Sequence, residues 1–162
     1  MINKKISFIG LGAMGGPMAT NIIKKGIELF VYDIDENKKI KVVKEGGLAS
    51  NTILDAVKDS DIVITMLPAT EQVKTVLLGE NGVIKNLKKD SLILDMSTIS
   101  PKGSDEVAKT CRENELRFID APVGRLVSHA IAGESLFMVG CDDEKDFERV
   151  KPLLDAMGTS II

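Results

Sequence analysis

The strongest constraint on the fold is the alternation of short, wholly apolar segments with segments of helical periodicity. Residues 62–67, Ile-Val-Ile-Thr-Met-Leu, are apolar at nearly every position, without the polar alternation of a half-exposed strand. Strands that are apolar on both faces belong to parallel sheets covered by helices on both sides. The sequence therefore predicts an α/β fold with a doubly wound, mostly parallel sheet in three layers, of the Rossmann type.

The order of the predicted elements supports one such domain over residues 1–162. Strands are predicted at residues 5–10, 27–32, 62–67, 91–96, 116–120 and 135–139, with an extended segment at 158–162. Helices are predicted at residues 14–25, 36–45, 52–58, 71–78, 101–113 and 144–157. Because the chain stops directly after an apolar segment, we expect a further domain to follow.

Composition and charge exclude several classes of function. A net charge of −3, 4% aromatic residues and no Trp give no support to a nucleic-acid partner. No apolar run reaches the roughly 18–20 residues that a membrane span needs. Cys111 and Cys141 lie in no metal-ligand spacing and argue against structural zinc or a disulfide scaffold. We expect a cytoplasmic protein without a metal, a membrane partner or a nucleic-acid partner, because the chain also begins without a signal segment.

A glycine-rich loop between the first strand and the first helix indicates a phosphate site. Residues 10–15 read Gly-Leu-Gly-Ala-Met-Gly, a Gly-x-Gly-x-x-Gly motif in the required strand–loop–helix context. Gly10 permits a sharp turn, Gly12 permits close approach of a pyrophosphate, and Gly15 permits close packing of the helix on the sheet. Free amides and the helix dipole then attract the phosphates. We expect residues Gly10, Leu11, Gly12, Ala13, Met14 and Gly15 to bind a dinucleotide.

An acidic residue at the end of the second strand predicts the type of dinucleotide. Asp33 lies 18 residues after Gly15 and 23 after Gly10, close to the spacing of about 20 residues for an acid that binds a ribose. A carboxylate accepts hydrogen bonds from both ribose hydroxyls and repels a 2′-phosphate, so NAD is favoured over NADP. The opposite reading assigns a 2′-phosphate to Lys38 and Lys39. A methyltransferase, which also presents a glycine loop and an acid, stays open at this point.

Two further strand ends carry candidate binding residues, because ligands of open parallel sheets bind where the strands end. Leu67 and Pro68 end the strand at 62–67, and Leu67 is placed to rest against a ribose or the nicotinamide side of a dinucleotide. Ser97 and Thr98 follow the strand at 91–96 and bring two hydroxyls to the crevice. Each pair also has a purely structural interpretation, as a turn or a helix cap.

The segment after residue 120 contains one cationic side chain among small residues. Gly124 and Arg125 follow Pro-Val, and a guanidinium suits a carboxylate, phosphate or sulfonate of a substrate. A surface arginine without a ligand is the alternative. His129 is the one histidine of the sequence, and a packing or surface role fits it better than catalysis.

Together these residues resemble the β-hydroxyacid dehydrogenase family, which includes 3-hydroxyisobutyrate dehydrogenase. The resemblance disfavours a methyltransferase, and it is carried by residues 8–19, 64–68, 95–101 and 120–123. One departure is specific: most members continue Pro-Val with Ser-Gly-Gly, whereas this chain continues with Gly124 and Arg125. That variant is similar to the sulfolactaldehyde reductase branch, in which the arginine binds a sulfonate.

The resemblance implies roles for individual residues. It implies that Arg125 binds the anion of a small hydroxyacid or aldehyde, that Ser97 orients this substrate, and that the cofactor contacts lie at Ala13, Met14, Asp33, Leu67 and Thr98. It also implies reversible hydride transfer by an NAD(P)-dependent enzyme that forms a homo-oligomer. The family's catalytic lysine lies in a helical C-terminal domain outside this chain, so we expect no catalytic residue here and no activity from this chain alone. The rival hypothesis is a non-catalytic dinucleotide-binding regulatory module.

Overall fold

The computed structural model describes residues 4–162, and its main feature is a six-stranded sheet in which every pairing is parallel. The strand order is β3-β2-β1-β4-β5-β6. The strands are β1 (Ile6–Ile9), β2 (Phe30–Tyr32), β3 (Leu48–Ala49), β4 (Ile62–Thr65), β5 (Leu92–Asp95) and β6 (Arg117–Asp120). The predicted Rossmann-type fold is thereby confirmed.

Helices connect the strands, as parallel pairing requires. They are α1 (Gly15–Lys24), α2 (Glu36–Lys44), α3 (Ile53–Val57), α4 (Thr70–Leu78), α5 (Pro101–Glu113), α6 (Val127–Ala132) and α7 (Glu144–Met157). Local chemistry sets their ends: the Ser100 hydroxyl caps α5 by accepting from the Gly103 amide at 3.0 Å. None of the helices in residues 4–162 has the length and apolarity to cross a membrane.

The sheet buries one hydrophobic core on each face. Phe8, Ile64 and Leu94 point to the core beneath α1 and α7. Ile9, Val63 and Ile93 point to the core beneath α3, α4 and α5. Alternate residues of the same strands thus serve opposite cores, which explains why these strands are apolar at every position.

The chain runs outward from β1 in both directions, and this determines where a ligand can bind. β1 pairs with β2 on one side and with β4 on the other, so the connections after β1 and β4 leave toward opposite edges of the sheet. A crevice forms at such a reversal of strand order, outside the carboxyl ends of the strands. The glycine loop, which follows β1, lies at this position.

A second, three-stranded sheet was not predicted. It contains β7 (Val123–Gly124), β8 (Ser135–Phe137) and β9 (Gly158–Ile161), in the order β7-β8-β9. The extended segments predicted at 135–139 and 158–162 exist, but they pair here and not within the main sheet. β9 lies very close to β8: a Cβ at Gly158 would lie 2.3 Å from the Ser135 carbonyl oxygen.

Candidate functional site

A cleft of about 690 Å³ opens at the carboxyl ends of β1, β2 and β4. Eight of the residues predicted to bind the cofactor line it: Gly10, Gly12, Ala13, Met14, Gly15, Asp33, Leu67 and Pro68. They come from three separate stretches of sequence, and the fold brings them to one side of the sheet. A cleft of this size and largely apolar lining is typical of a site for a small molecule or cofactor.

Two of the three loop glycines are required by close packing. Gly10 has a φ of +100°, and a Cβ there would lie 2.2 Å from the Met66 carbonyl oxygen. A Cβ at Gly15 would lie 2.0 Å from the Gly10 carbonyl oxygen. A Cβ at Gly12 would meet no atom within 4 Å, because this residue faces the open cleft. The absence of a side chain at Gly12 therefore keeps the space in front of the loop open, and the packing of the fold does not require it.

The loop and the start of α1 present main-chain donors to the cleft. In the part of the chain that the structure describes, the amides of Gly12, Ala13 and Met14 donate to no protein group. Met14 precedes α1 without a side-chain cap, and the first turn of α1 contains no acidic residue. Unsatisfied amides together with the positive end of the helix dipole form an anion site. These residues fit the pyrophosphate of a dinucleotide.

Asp33 holds the glycine loop against the end of β2. One carboxylate oxygen accepts from the Leu11 amide at 2.7 Å, and the other accepts from the Asp35 amide at 2.8 Å. Leu11 contributes its main-chain amide to this contact with Asp33, whereas its side chain is buried in the core. Both oxygens retain lone pairs toward the cleft, so the carboxylate can still accept from hydroxyl groups of a sugar.

The far wall of the cleft depends on a chain of hydrogen bonds behind it. The Leu67 amide donates to the Ser97 hydroxyl oxygen at 2.8 Å, and the Ser97 amide donates to Asp95 at 3.1 Å. Ser97 is fully buried and does not line the cleft, whereas Thr98 is exposed and also lies outside it. The predicted contacts of Ser97 with substrate and of Thr98 with cofactor stay predictions.

The Gly124–Arg125 segment lies on the second sheet and does not line the cleft. Arg125 has a φ of +70°, and its guanidinium donates to the Glu134 carbonyl at 2.7 Å and to the hydroxyls of Thr159 and Ser160. Its role in substrate binding stays a prediction. His129 accepts from the Leu126 amide at 3.2 Å and so acts as a local cap of α6.

Sequence reasoning missed the residues that α4 and the segment after β2 contribute to the cleft. Lys38 was considered as a ligand of a 2′-phosphate, and it does lie there. The other lining residues, which were not predicted, are Ile9, Tyr32, Ile34, Ile53, Met66, Glu71, Gln72, Thr75 and Val76. The face that α4 turns toward the cleft depends on its packing, which no motif signals. Within residues 4–162, no group of three His, Cys, Asp or Glu residues is arranged to hold a metal ion.

The buried Asp95 and the half-buried Asp120 are paired residues at the ends of β5 and β6. Burial raises the pKa of Asp95 above its ordinary value, against the opposing effect of hydrogen bonds from Ser97 and Thr65. Burial, and next the negative charge of Asp95, raise the pKa of Asp120 to about 6.

Comparison with known proteins agrees with this geometry. Residues 5–162 match the family described as the NAD binding domain of 6-phosphogluconate dehydrogenase. The chain therefore belongs to this family of NAD-binding domains.

The similar proteins are dehydrogenases and reductases about twice as long. The 3-sulfolactaldehyde reductase of Escherichia coli is 40% identical over 97% of this chain and 52% of its own length. An NAD-dependent L-serine dehydrogenase of Pseudomonas aeruginosa is 40% identical over 98% of this chain and 53% of its own. The structure of Mycobacterium tuberculosis 3-hydroxyisobutyrate dehydrogenase with L-serine superposes with a TM-score of 0.92, at 32% identity, over 99% of this chain and 54% of that one. The chain thus spans about half the length of these relatives.

Proposed function

We propose that the chain is the cofactor-binding half of an NAD-dependent oxidoreductase that interconverts a small hydroxyacid, or its sulfonate analogue, and the corresponding aldehyde. The observation that carries the proposal is the set of free amides at Gly12, Ala13 and Met14, which open onto the cleft at the start of α1. The cofactor supplies the hydride, and the protein supplies binding and orientation.

The preference for NAD over NADP is argued from Asp33. Its carboxylate lies on the cleft and is fixed by two main-chain amides, so it cannot easily turn away from a ligand. A 2′-phosphate on the adenosine ribose would bring like charges together, at a cost that grows as water is excluded. Lys38 lies on the same cleft and favours a 2′-phosphate. Asp33 is the stronger determinant of the preference for NAD, because two main-chain amides hold its carboxylate in place.

Arg125 is proposed to bind the anionic group of the substrate. Three of the five N–H donors of a guanidinium are used in its bonds to Glu134, Thr159 and Ser160, which leaves two for a carboxylate or sulfonate. The hydrogen-bonded arginine would be a rigid anchor and need little reordering on binding. The named relatives act on small acids, which agrees with this role.

The remainder of the enzyme is also part of the proposal. We propose that a helical C-terminal domain carries the proton-donating lysine and that the full-length protein forms a homo-oligomer in the cytoplasm. The 162-residue chain alone is proposed to bind NAD without catalysing the reaction. A non-catalytic regulatory module has less support, because the relatives described above are all named as enzymes.

The experiment is a pair of measurements. Calorimetry of the 162-residue chain tests NAD⁺ against NADP⁺, and we expect tighter binding of NAD⁺. A full-length version is then assayed with NADH and a panel of anionic aldehydes to test the substrate. In this enzyme, Arg125→Ala should raise the KM for the aldehyde steeply and leave NADH affinity nearly unchanged. Equal effects on KM and on NADH affinity would remove Arg125 from the substrate role.

A further inference from the structure

Three polar side chains form a row across the carboxyl ends of the strands that lie behind the cleft wall. Thr65 of β4 is the register partner of Asp95 of β5, which is in turn the register partner of Asp120 of β6. Register partners in a parallel sheet point to the same face, with their strands about 4.8 Å apart. The two carboxyls are therefore direct neighbours on the face that α5 covers.

Each of the two carboxyls has one buried oxygen that accepts no hydrogen bond from residues 4–162. Asp95 is fully buried; its Oδ1 accepts from the Thr65 hydroxyl at 2.8 Å and from the Ser97 amide at 3.1 Å. Within the described residues, its Oδ2 is buried without a protein partner, and so is Oδ1 of Asp120. Buried carboxylate oxygens without a donor are costly, because burial removes the water that would otherwise solvate the charge.

The surroundings of the pair supply no positive charge. In residues 4–162 no lysine, arginine or histidine forms an ion pair with either carboxyl. The group that faces Asp120 from α5 is the Ser104 hydroxyl, β4 contributes Thr65, and the segment after β8 contributes the backbone of Gly140. Among residues 4–162, the charged group that raises the pKa of Asp120 is Asp95.

We propose that Asp95 and Asp120 share one proton, which Asp120 carries and donates to Oδ2 of Asp95, and that this bond positions Ser97 and hence Leu67 at the wall of the cleft. A proton between the two oxygens supplies the donor that both lack and removes the repulsion of two buried charges. Asp120 carries it because Asp95 already accepts two hydrogen bonds, which stabilise its ionised form.

The link to the cleft is a continuous chain of hydrogen bonds. Ionised Asp95 holds the Ser97 amide, the Ser97 hydroxyl oxygen holds the Leu67 amide, and Leu67 lines the cleft. Asp120 and Asp95 are thus positioning residues that touch no ligand. The effect on the cofactor rests on the proposed function, whereas the shared proton does not.

The dependence on pH has a definite sign. The pKa of Asp120 is raised to about 6 in the folded chain, above its ordinary value of 3.8. The folded state therefore binds the proton more tightly than the unfolded state, so the contribution to stability is full below the unfolded pKa and is lost as the pH rises through about 6. Above this pH both carboxyls are ionised and repel each other. We therefore expect the hydrogen bonds that link Asp95, Ser97 and Leu67 to weaken.

Carboxyl ¹³C NMR of the 162-residue chain tests the pair without any ligand. We expect Asp120 to titrate near pH 6 and the Leu67 amide resonance to move with the same midpoint. Asp120→Asn supplies a permanent neutral donor, so it should abolish this movement of Leu67 and give a higher Tm than wild type at about pH 8. The matched control is Asp105→Asn, which changes an exposed acid on α5 and should leave the Leu67 midpoint unchanged.

Binding of NAD⁺ tests the effect on the cleft. We expect wild-type affinity to fall severalfold between about pH 5.5 and pH 8, and Asp120→Asn to keep one affinity at both values. A chain that binds no NAD⁺ at any pH would overturn the proposed function, and the NMR titration would still decide on the proton. An ordinary pKa for Asp120, or a Leu67 midpoint that persists in Asp120→Asn, would overturn the pair. If that variant does not fold, the wild-type titrations of Asp120 and Leu67 decide alone.

Discussion

The glycine loop and the second sheet differ in whether their polar groups already have hydrogen-bond partners. At the glycine loop, the amides of Gly12, Ala13 and Met14 have no partner among residues 4–162 and lie at an open cleft. At the second sheet, the Arg125 guanidinium already donates to three groups on β9 and the segment before β8. Unsatisfied donors in an otherwise well-bonded protein mark where a ligand is expected, whereas a bonded arginine also contributes to holding the fold together.

The largest effect is expected from Gly10→Ala. A Cβ at this position would meet the Met66 carbonyl oxygen at 2.2 Å, and the φ of +100° is strained for any other residue. The two costs together should lower the free energy of unfolding by about 3 kcal/mol. Urea denaturation measures this loss, and a stability equal to wild type would contradict the packing described for the loop.

Gly12→Ala should separate binding from folding. Its Cβ would meet no atom within 4 Å, so the urea midpoint should stay close to that of wild type. The added methyl group would stand between the amides and a pyrophosphate, and we expect NAD⁺ affinity to fall roughly 10- to 100-fold. Calorimetry of Gly12→Ala beside Gly10→Ala compares an effect on binding with an effect on folding. Unchanged NAD⁺ affinity in Gly12→Ala would show that the pyrophosphate does not bind at the loop.

Asp33→Asn should weaken NAD⁺ binding by about tenfold and affect NADP⁺ less. The substitution removes the charge that holds the Leu11 and Asp35 amides. In the proposed role, the same charge accepts from the ribose and repels a 2′-phosphate. The ratio of the two dissociation constants is the informative measurement. A ratio that does not change would show that Asp33 plays no part in the choice of cofactor, and Lys38→Ala would then be the next variant to test.

Arg125→Ala should have the smallest effect on the cofactor site. Its hydrogen bonds are exposed, so we expect a loss of stability of no more than about 1 kcal/mol and no measurable change in NAD⁺ affinity. Thermal unfolding and calorimetry check both expectations. A large loss of NAD⁺ affinity would show that Arg125 on the second sheet is energetically coupled to the cofactor cleft.

The same contrast explains what the sequence could predict. The glycine loop is encoded locally: its motif and Asp33, which lie within about 25 positions of one another, predicted six of the residues that line the cleft. Five strands of the main sheet were also predictable because their residues are largely apolar, although their ends were placed too far out: the strand predicted at 62–67 stops at Thr65. The sixth, β3, was not predicted, since it has two residues and both are exposed. The chain leads from Thr65 into a bend at Pro68 and Ala69, so the pairing ends earlier than hydrophobicity alone indicates.

The second sheet was not predictable in the same way. The bonds from Arg125 reach residues 34 and 35 positions away, and a strand of two residues such as β7 has no detectable period. Ser97 carries a hydroxyl at a strand end, which predicted a ligand contact, yet tertiary packing turned it inward to Leu67 and Asp95. The sequence thus located the polar groups near the cleft but not the direction in which each one points.

The most direct measurement is a calorimetric titration of the 162-residue chain and its Gly12→Ala variant with NAD⁺ and NADP⁺. The account predicts that the chain binds NAD⁺ more tightly than NADP⁺ and that the variant, with an unchanged circular dichroism spectrum, loses most of its affinity for both. No heat with either dinucleotide, or equal binding by chain and variant, would contradict it.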